Sequence, residues 1–279
     1  MSPDDPNHHP SPRIGLSQAS LGGESDRLIA HVKNGLSYPI LQGERSVKND
    51  YYSNTLIYHL DEILTHLKTR DGNPVERILE LGISRGSQSI GIALLTSPAT
   101  RILGIDIDPQ AAVWVGQNAT LNGVAERIAV RIGDMFTPLA QDERFDLIFG
   151  TMPINAVAPE ERQRYRAEGF DIDLDNIDGG DDGRYFIDLM IRQAAPHLTP
   201  RGSLLFIQPS FTGVDKSLAL MAEHGLVGEI LVEREWKLQD TLYTYNHRHY
   251  IERACGYRFP TNDQGDEVFY LVILKGRKA

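Results

Sequence analysis

Three carboxylates in this chain each follow a short apolar run and sit beside a glycine. They occur in Glu80-Leu81-Gly82-Ile83-Ser84-Arg85-Gly86, in Gly104-Ile105-Asp106-Ile107-Asp108 and in Gly133-Asp134-Met135-Phe136. Carboxylates at the ends of successive buried strands can accept hydrogen bonds from the hydroxyl and amino groups of a nucleoside. Gly82 and Gly86 allow the backbone to approach a ligand closely, and a helix starting behind them offers free N–H groups. Ser84 takes the middle position, where glycine is usual. Asp106 follows the glycine turn at about the 20-residue spacing at which the acid of an open α/β fold bonds ribose hydroxyls. Asp134 is placed to accept from an adenine amino group, with Ile107 and Met135 beside the ring. A fourth apolar run, Phe145-Asp146-Leu147-Ile148-Phe149-Gly150, ends in Thr151-Met152-Pro153-Ile154. A proline-containing turn at the end of a buried strand is where α/β enzymes place substrate chemistry.

These residues need a framework of alternating strands and helices. Apolar runs predict strands over 77–81, 101–105, 128–132, 146–150, 203–208, 228–234 and 268–275. Helical periods fall between them over 88–95, 109–122, 184–197 and 216–224. Strand–helix alternation implies crossover units and a mostly parallel sheet, with the last two strands antiparallel. The expected fold is an α/β, Rossmann-like, seven-stranded sheet with helices on both faces and an N-terminal helical extension. Residues 1–24, rich in Pro, Ser, Asp, Asn and Gly, are expected as a flexible tail. Residues 25–75 form the extension, with helices expected over 25–36 and 53–68, and residues 76–279 form the ligand-binding domain. Tyr51, Tyr52 and the helix around Tyr58 are candidates to cap the ligand.

The chain has 279 residues, 41% hydrophobic and 24% charged, with a net charge of −10. An acidic balance argues against broad binding to a phosphate backbone, which needs clustered Lys and Arg. Cys255 is the one cysteine, so neither a disulfide framework nor a zinc cluster is expected, and no metal site is assigned. No apolar run reaches the length of a membrane span. The N-terminus lacks a secretory h-region, and a reducing cytoplasmic setting is expected.

The Glu80–Gly86 turn, Asp106 and Gly133-Asp134 together resemble the class I S-adenosylmethionine-dependent methyltransferases over roughly residues 76–275. The resemblance implies S-adenosyl-L-methionine as cofactor, held by Glu80, Gly82, Ser84, Gly86, Asp106, Ile107, Asp134, Met135 and Thr151. Within that class the chain is most similar to the HemK-like glutamine methyltransferases. The shared features are Phe145–Ile148 followed by a loop with Pro153, then Gly179-Gly180-Asp181-Asp182-Gly183, and Leu198-Thr199-Pro200-Arg201-Gly202. In those relatives the loop reads Asn-Pro-Pro-Tyr. Its Asn side chain and a loop carbonyl accept from the substrate NH₂, and its Tyr packs on the planar acceptor. Here Thr151, Met152, Pro153 and Ile154 stand in those places, and only the proline is kept.

That departure leads to the expectation of a small-molecule methyl acceptor, cationic or amino-acid-like, in a specialised biosynthetic pathway. The acids Glu160, Glu161, Asp171, Asp173, Asp175 and Asp178 form a candidate lid for a cation. Thr151, Tyr243, Tyr245 and His247 are the candidate catalytic groups, with His249 beside them, because Tyr and His can hydrogen-bond, stack and take a proton. Three alternatives stay open. One is a HemK-type protein-glutamine methyltransferase. Another is intramolecular use of the cofactor with release of methylthioadenosine. The third is a non-catalytic S-adenosylmethionine-binding regulator. The oligomeric state is not encoded in any of these features.

Overall fold

The computed structural model describes residues 15–18, 27–41, 51–70, 72, 75–168 and 177–278. A small antiparallel sheet comes first: β1 (Gly15–Gln18), β2 (Arg27–His31) and β3 (Ser37–Leu41). Two helices follow, α1 (Tyr51–Tyr58) and α2 (Leu60–Arg70). The alternating part then runs β4 (Arg77–Leu81), α3 (Ser87–Leu95), β5 (Arg101–Asp106), α4 (Gln110–Leu121), β6 (Ile128–Ile132), β7 (Phe145–Gly150) and α5 (Pro159–Glu168). It continues through α6 (Tyr185–His197), β8 (Leu198–Pro209), α7 (Val214–Glu223), β9 (Leu226–Lys237), α8 (Leu242–Asn246), α9 (Arg248–Cys255) and β10 (Val268–Lys278).

The main sheet has seven strands in the order β6-β5-β4-β7-β8-β10-β9. Strands β4 to β8 pair in parallel, and β10 runs antiparallel to both β8 and β9. Chain order therefore reverses between β4 and β7, which opens a crevice at their C-terminal ends. Central strands covered on both faces need apolar residues at nearly every position. Arg-Ile-Leu-Glu-Leu of β4 has four buried residues in succession, Glu80 among them. Alternate residues divide between two cores. Ile78, Leu147, Leu205 and Ile273 face Leu56, Leu60 and Ile90 of the helices on one side. Leu79, Leu81, Ile148 and Phe206 face Met190, Ile191 and Met221 on the other.

The N-terminal extension differs from the sequence expectation. Residues 25–36 do not form a helix in their described part. β2 and β3 pair His31 with Ser37 around a turn at Asn34-Gly35, where Gly35 has φ +92° and the Leu36 amide donates to Asn34 Oδ1. The buried residues are Ala30, Val32, Tyr38 and Ile40, an alternation of two that the helical period obscured. Within residues 1–24, expected as a tail, Gly15–Gln18 pair with β2; the other residues of that stretch lie outside the described ones. The helix expected over 53–68 is broken into two at His59, whose amide is shared between the carbonyls of Thr55 and Leu56. Between β9 and β10 the chain forms α8 and α9, the second closing at Gly256 with φ +66°.

Candidate active site

The C-terminal ends of β4, β5, β6 and β7 converge on the crevice. The turn after β4 puts three residues in the left-handed region: Gly82 at φ +69°, Ser84 at +49° and Gly86 at +76°. Ser84 thus holds a conformation that suits glycine, at a steric cost of about 1–2 kcal/mol. Its amide is engaged in return: it donates to Asp106 Oδ2 at 2.7 Å. The Asp108 amide donates to the other oxygen at 2.9 Å. The half-buried Asp106 carboxyl is held above the usual carboxylate range by burial, and those backbone donors work against the shift. The Gly82 and Ile83 amides donate to the Ile105 carbonyl, and the Gly133 amide to the Asp106 carbonyl. The three strand ends are therefore tied into one backbone lattice.

Around this lattice Ile107 is 73% exposed, an apolar side chain standing in solvent next to Asp106. Met135 adopts φ +49° and is buried, and Asp134 is exposed beside it. Glu80 lies 2% exposed beneath the turn, where Ser89 Oγ donates to its Oε2. Burial pushes its carboxyl up to about 8, against the Ser89 hydrogen bonds. The turn, the aligned acids and the exposed apolar residue fit an adenosyl ligand: backbone N–H groups, a ribose-facing carboxylate and a surface for an aromatic ring.

Thr151 to Ile154 leave β7 directly opposite the glycine turn. Met152 Sδ lies 3.2 Å from the point where a Cβ on Gly82 would stand. Gln88 Nε2, on the first turn of α3, donates to Thr151 Oγ1 at 2.8 Å. Ile154 is buried, not presented to a substrate. It is covered by the Gly179–Gly183 segment: a Cβ on Gly179 would stand 2.7 Å from Ile154 Cα and 2.9 Å from the Pro153 carbonyl oxygen. Asn155 and Asp178 form a parallel bridge, and the Val157 amide donates to the Gly180 carbonyl.

The segment after β9 reaches the same place. Tyr243 donates its hydroxyl to the Ala156 carbonyl at 3.1 Å. His247 stacks on the Tyr243 ring at 4.1 Å, with Nδ1 2.7 Å from the Tyr243 carbonyl and Nε2 2.7 Å from Glu161 Oε1. Tyr250 donates to the Asp181 carbonyl at 2.9 Å. Tyr245 is 53% exposed, and the His249 side chain 85%. Of the four candidate catalytic groups, the structure brings Thr151, Tyr243 and His247 onto the acceptor loop or its continuation and leaves Tyr245 in solvent. Gln88 escaped the sequence reading. It opens a helical period between two serines, Ser87 and Ser89, and nothing in its spacing singles it out.

Tyr58 lies under the Arg234 guanidinium at 6.0 Å, and α1 packs on α3. Nothing is described of the Tyr51 and Tyr52 side chains. Two of the expected lid acids are paired within the protein: Asp178 with Arg162 at 2.5 Å, and Glu161 with His247. Asp171, Asp173 and Asp175 lie outside the described residues.

Comparison with known proteins bears on this geometry. The family model of ribosomal protein L11 methyltransferase (PrmA) matches residues 61–169. A ribosomal protein uL3 glutamine methyltransferase of Bradyrhizobium diazoefficiens is 32% identical over 137 residues, 47% of this chain and 40% of that one. A protein of Methanocaldococcus jannaschii, named by inference as a protein N5-glutamine methyltransferase, is 30% identical over 55% of this chain and 72% of its own length. A crystal structure of a ribosomal protein L11 methylase from Lactobacillus delbrueckii subsp. bulgaricus is 17% identical, with a TM-score of 0.46 over 87% of this chain and 94% of that one. The chain belongs to the class I S-adenosylmethionine-dependent methyltransferases. Within them it falls in the HemK-like glutamine methyltransferase group, and its methyl donor is S-adenosyl-L-methionine. It spans between 40% and 54% of the length of these bacterial glutamine methyltransferases.

The matches correct the acceptor expectation. The relatives are named for protein substrates, which overturns the small-molecule acceptor, cationic or amino-acid-like, read from Thr-Met-Pro-Ile. The physical reason is visible in the loop. Ile154 is buried as part of the core, so its loss of an aromatic face says little about what the loop backbone presents. No helix among the described residues is long and apolar enough to cross a membrane.

Proposed function

We propose that this protein transfers the methyl group of S-adenosylmethionine to the side-chain amide nitrogen of a glutamine in a protein substrate, in the cytoplasm, with residues 76–279 as the methyltransferase domain. The observation that carries this reading is the placement of the Thr151–Ile154 backbone. It is clamped between the glycine turn and Gly179, and among the described residues nothing donates a hydrogen bond to the Met152 carbonyl. A carbonyl fixed at that point can accept from the NH₂ group of a substrate amide.

The cofactor supplies an electrophilic methyl on a sulfonium. What remains is to bind, orient and exclude water. In this reading Asp106 accepts from the ribose hydroxyls, Asp134 from the adenine amino group, and Ile107 and Met135 flank the ring. Gly82, Ser84 and Gly86 bring backbone close to the amino-acid end, above Glu80. Thr151 and the Met152 carbonyl hold the acceptor. Tyr243, His247 and Tyr250 brace the loop through Ala156, Glu161 and Asp181 and are not required as bases.

The test uses the purified protein with radiolabelled S-adenosylmethionine and three separate proteins: ribosomal protein uL3, ribosomal protein L11 and a peptide-chain release factor. Mass spectrometry of the digested products should place one added methyl on a glutamine. Methylation confined to lysine or an N-terminal amine, or release of methylthioadenosine in place of S-adenosylhomocysteine, would overturn the reading.

A further inference from the structure

The Gln88 carboxamide divides its two ends in an unusual way. The side chain is 2% exposed. Its Nε2 donates to Thr151 Oγ1 at 2.8 Å, while its Oε1 is buried and has no hydrogen-bond partner. A buried carbonyl oxygen left without a donor typically costs about 1–3 kcal/mol, and nearly all such groups in folded proteins are satisfied. Its neighbours in sequence are paired: Ser89 donates to Glu80, and the buried Tyr38 hydroxyl donates to the Ser87 carbonyl at 2.7 Å. In the preceding turn the buried Arg85 Nε also lacks a partner. The Gln88 oxygen differs from it in being an acceptor at the junction of two functional segments: it lies two residues past Gly86 and is linked through its own amide to the first residue of the acceptor loop.

An acceptor kept empty at that point calls for an N–H donor brought by a ligand. Two groups bring one there: the amide of the methyl acceptor and the ammonium of the cofactor. The tie to Thr151 favours the first, because the loop and the carboxamide then form one surface. We infer that Gln88 is a specificity-determining residue, its side-chain carbonyl accepting one N–H of the substrate amide while Thr151 and the Met152 carbonyl line the rest of that pocket. This rests on the glutamine-methylation reading above and names the residue that reads the amide. With Nε2 given to Thr151 Oγ1, the oxygen is the end left to face the substrate.

The test separates the two ideas by avoiding turnover. The full chain, loaded with S-adenosylhomocysteine and labelled with ¹⁵N, is titrated with propionamide, the bare amide of a glutamine side chain, and separately with propanoate. Propionamide should shift the Gln88 side-chain resonance and the Met152 amide. In Gln88→Leu its affinity should fall by about fivefold, the size of one neutral hydrogen bond. Gln88→Glu, which keeps an acceptor, should retain propionamide binding within about twofold. S-adenosylhomocysteine affinity, measured by calorimetry, should stay within about twofold in both variants, which also shows that they are folded. Equal propionamide affinity in wild type and Gln88→Leu would overturn the inference, as would no propionamide binding at all. A large loss of S-adenosylhomocysteine affinity would assign the oxygen to the cofactor's ammonium and overturn it too. Tighter binding of propanoate than of propionamide would show that the carboxamide presents its NH₂. If propionamide binding depends on Gln88 but no glutamine is methylated in the protein assay, the amide pocket stands and the wider reading falls. If methylglutamine forms and Gln88→Leu binds propionamide normally, this inference falls alone.

Discussion

The two halves of the crevice are held in place by different means. On the cofactor side the contacts are backbone to backbone, or backbone to one carboxylate: Ser84 and Asp108 amides on Asp106, Gly82 and Ile83 on Ile105, Gly133 on Asp106. On the acceptor side, side chains from α8 and α9 reach across more than eighty residues of sequence to hold a loop. Tyr243 bonds Ala156, 87 positions away, and His247 bonds Glu161, 86 away. A site made of main chain tolerates side-chain change as long as the turns survive. A site braced by distant side chains can be re-aimed by substitutions far from the substrate. A shared cofactor with varied acceptors is the expected result of that division.

The contrast is sharpest at Gly179. An alanine there sets its Cβ against the Ile154 and Pro153 backbone, which cannot turn aside as a side chain would. Gly179→Ala should cut methyl transfer by about 100-fold, the usual effect of an ångström-scale misplacement. Cofactor affinity, read by calorimetry, should move by less than about threefold; a parallel loss of both would merge the two halves into one unit. Asp106→Ala is the converse. It should weaken S-adenosylmethionine binding by about 5- to 150-fold, equivalent to about 1–3 kcal/mol of lost hydrogen bonding, with kcat at saturation largely retained. Unchanged affinity would remove Asp106 from the cofactor site.

Tyr243→Phe deletes one brace. A neutral hydrogen bond is worth about 0.5–1.5 kcal/mol, so turnover should fall by about 2- to 10-fold. Loss of a general base would instead cost about 100- to 10,000-fold, and a fall of that size would restore Tyr243 as a catalytic group. The smallest effect is expected at Ser84→Gly. Relief of the left-handed strain is offset in part by the extra freedom glycine gives the unfolded chain. The thermal midpoint should rise slightly, by less than about 1 kcal/mol of stability, with cofactor affinity unaltered. A fall would mean that the Ser84 side chain supports the turn.

The same division explains what could be read from the sequence. β4, β5, β6 and β7 and the acids at their ends were legible because buried parallel strands need continuous apolar runs, and the turns after them need small residues at fixed positions. Local chemistry was enough. The hairpin at Asn34-Gly35 was missed although its turn dipeptide was present: Leu28, Ile29, Val32 and Leu36 also satisfy a helical period. The fate of Thr-Met-Pro-Ile was missed for another reason. Reading Ile154 as a substrate-facing residue requires knowing which way it points, and that depends on the core it joins, with Ile187, Met190 and Phe206 from distant parts of the chain. The contacts of Tyr243 and His247 were out of reach for the same reason: their residue types suggested acid–base work, and their partners in space, Ala156 and Glu161, lie more than eighty positions away.

Glu80 carries a consequence for the traffic of protons. Its carboxyl, pushed up to about 8 from an ordinary 4.5, is neutral in the folded empty protein at pH 7. The unfolded chain would have given that proton up above pH 4.5. The folded form therefore binds more protons between these limits, and the stability it gains from them is fully present below pH 4.5 and is lost as pH rises through about 8. Denaturation midpoints should decline over that window, and Glu80→Gln should flatten the decline. In the proposed placement, a sulfonium or ammonium above the neutral acid favours its ionised form, so loading the donor should exchange one cation in for one hydron out. The hydron should appear in the buffer as a protonation-enthalpy dependence of the calorimetric heat near pH 7, and that dependence should vanish in Glu80→Gln.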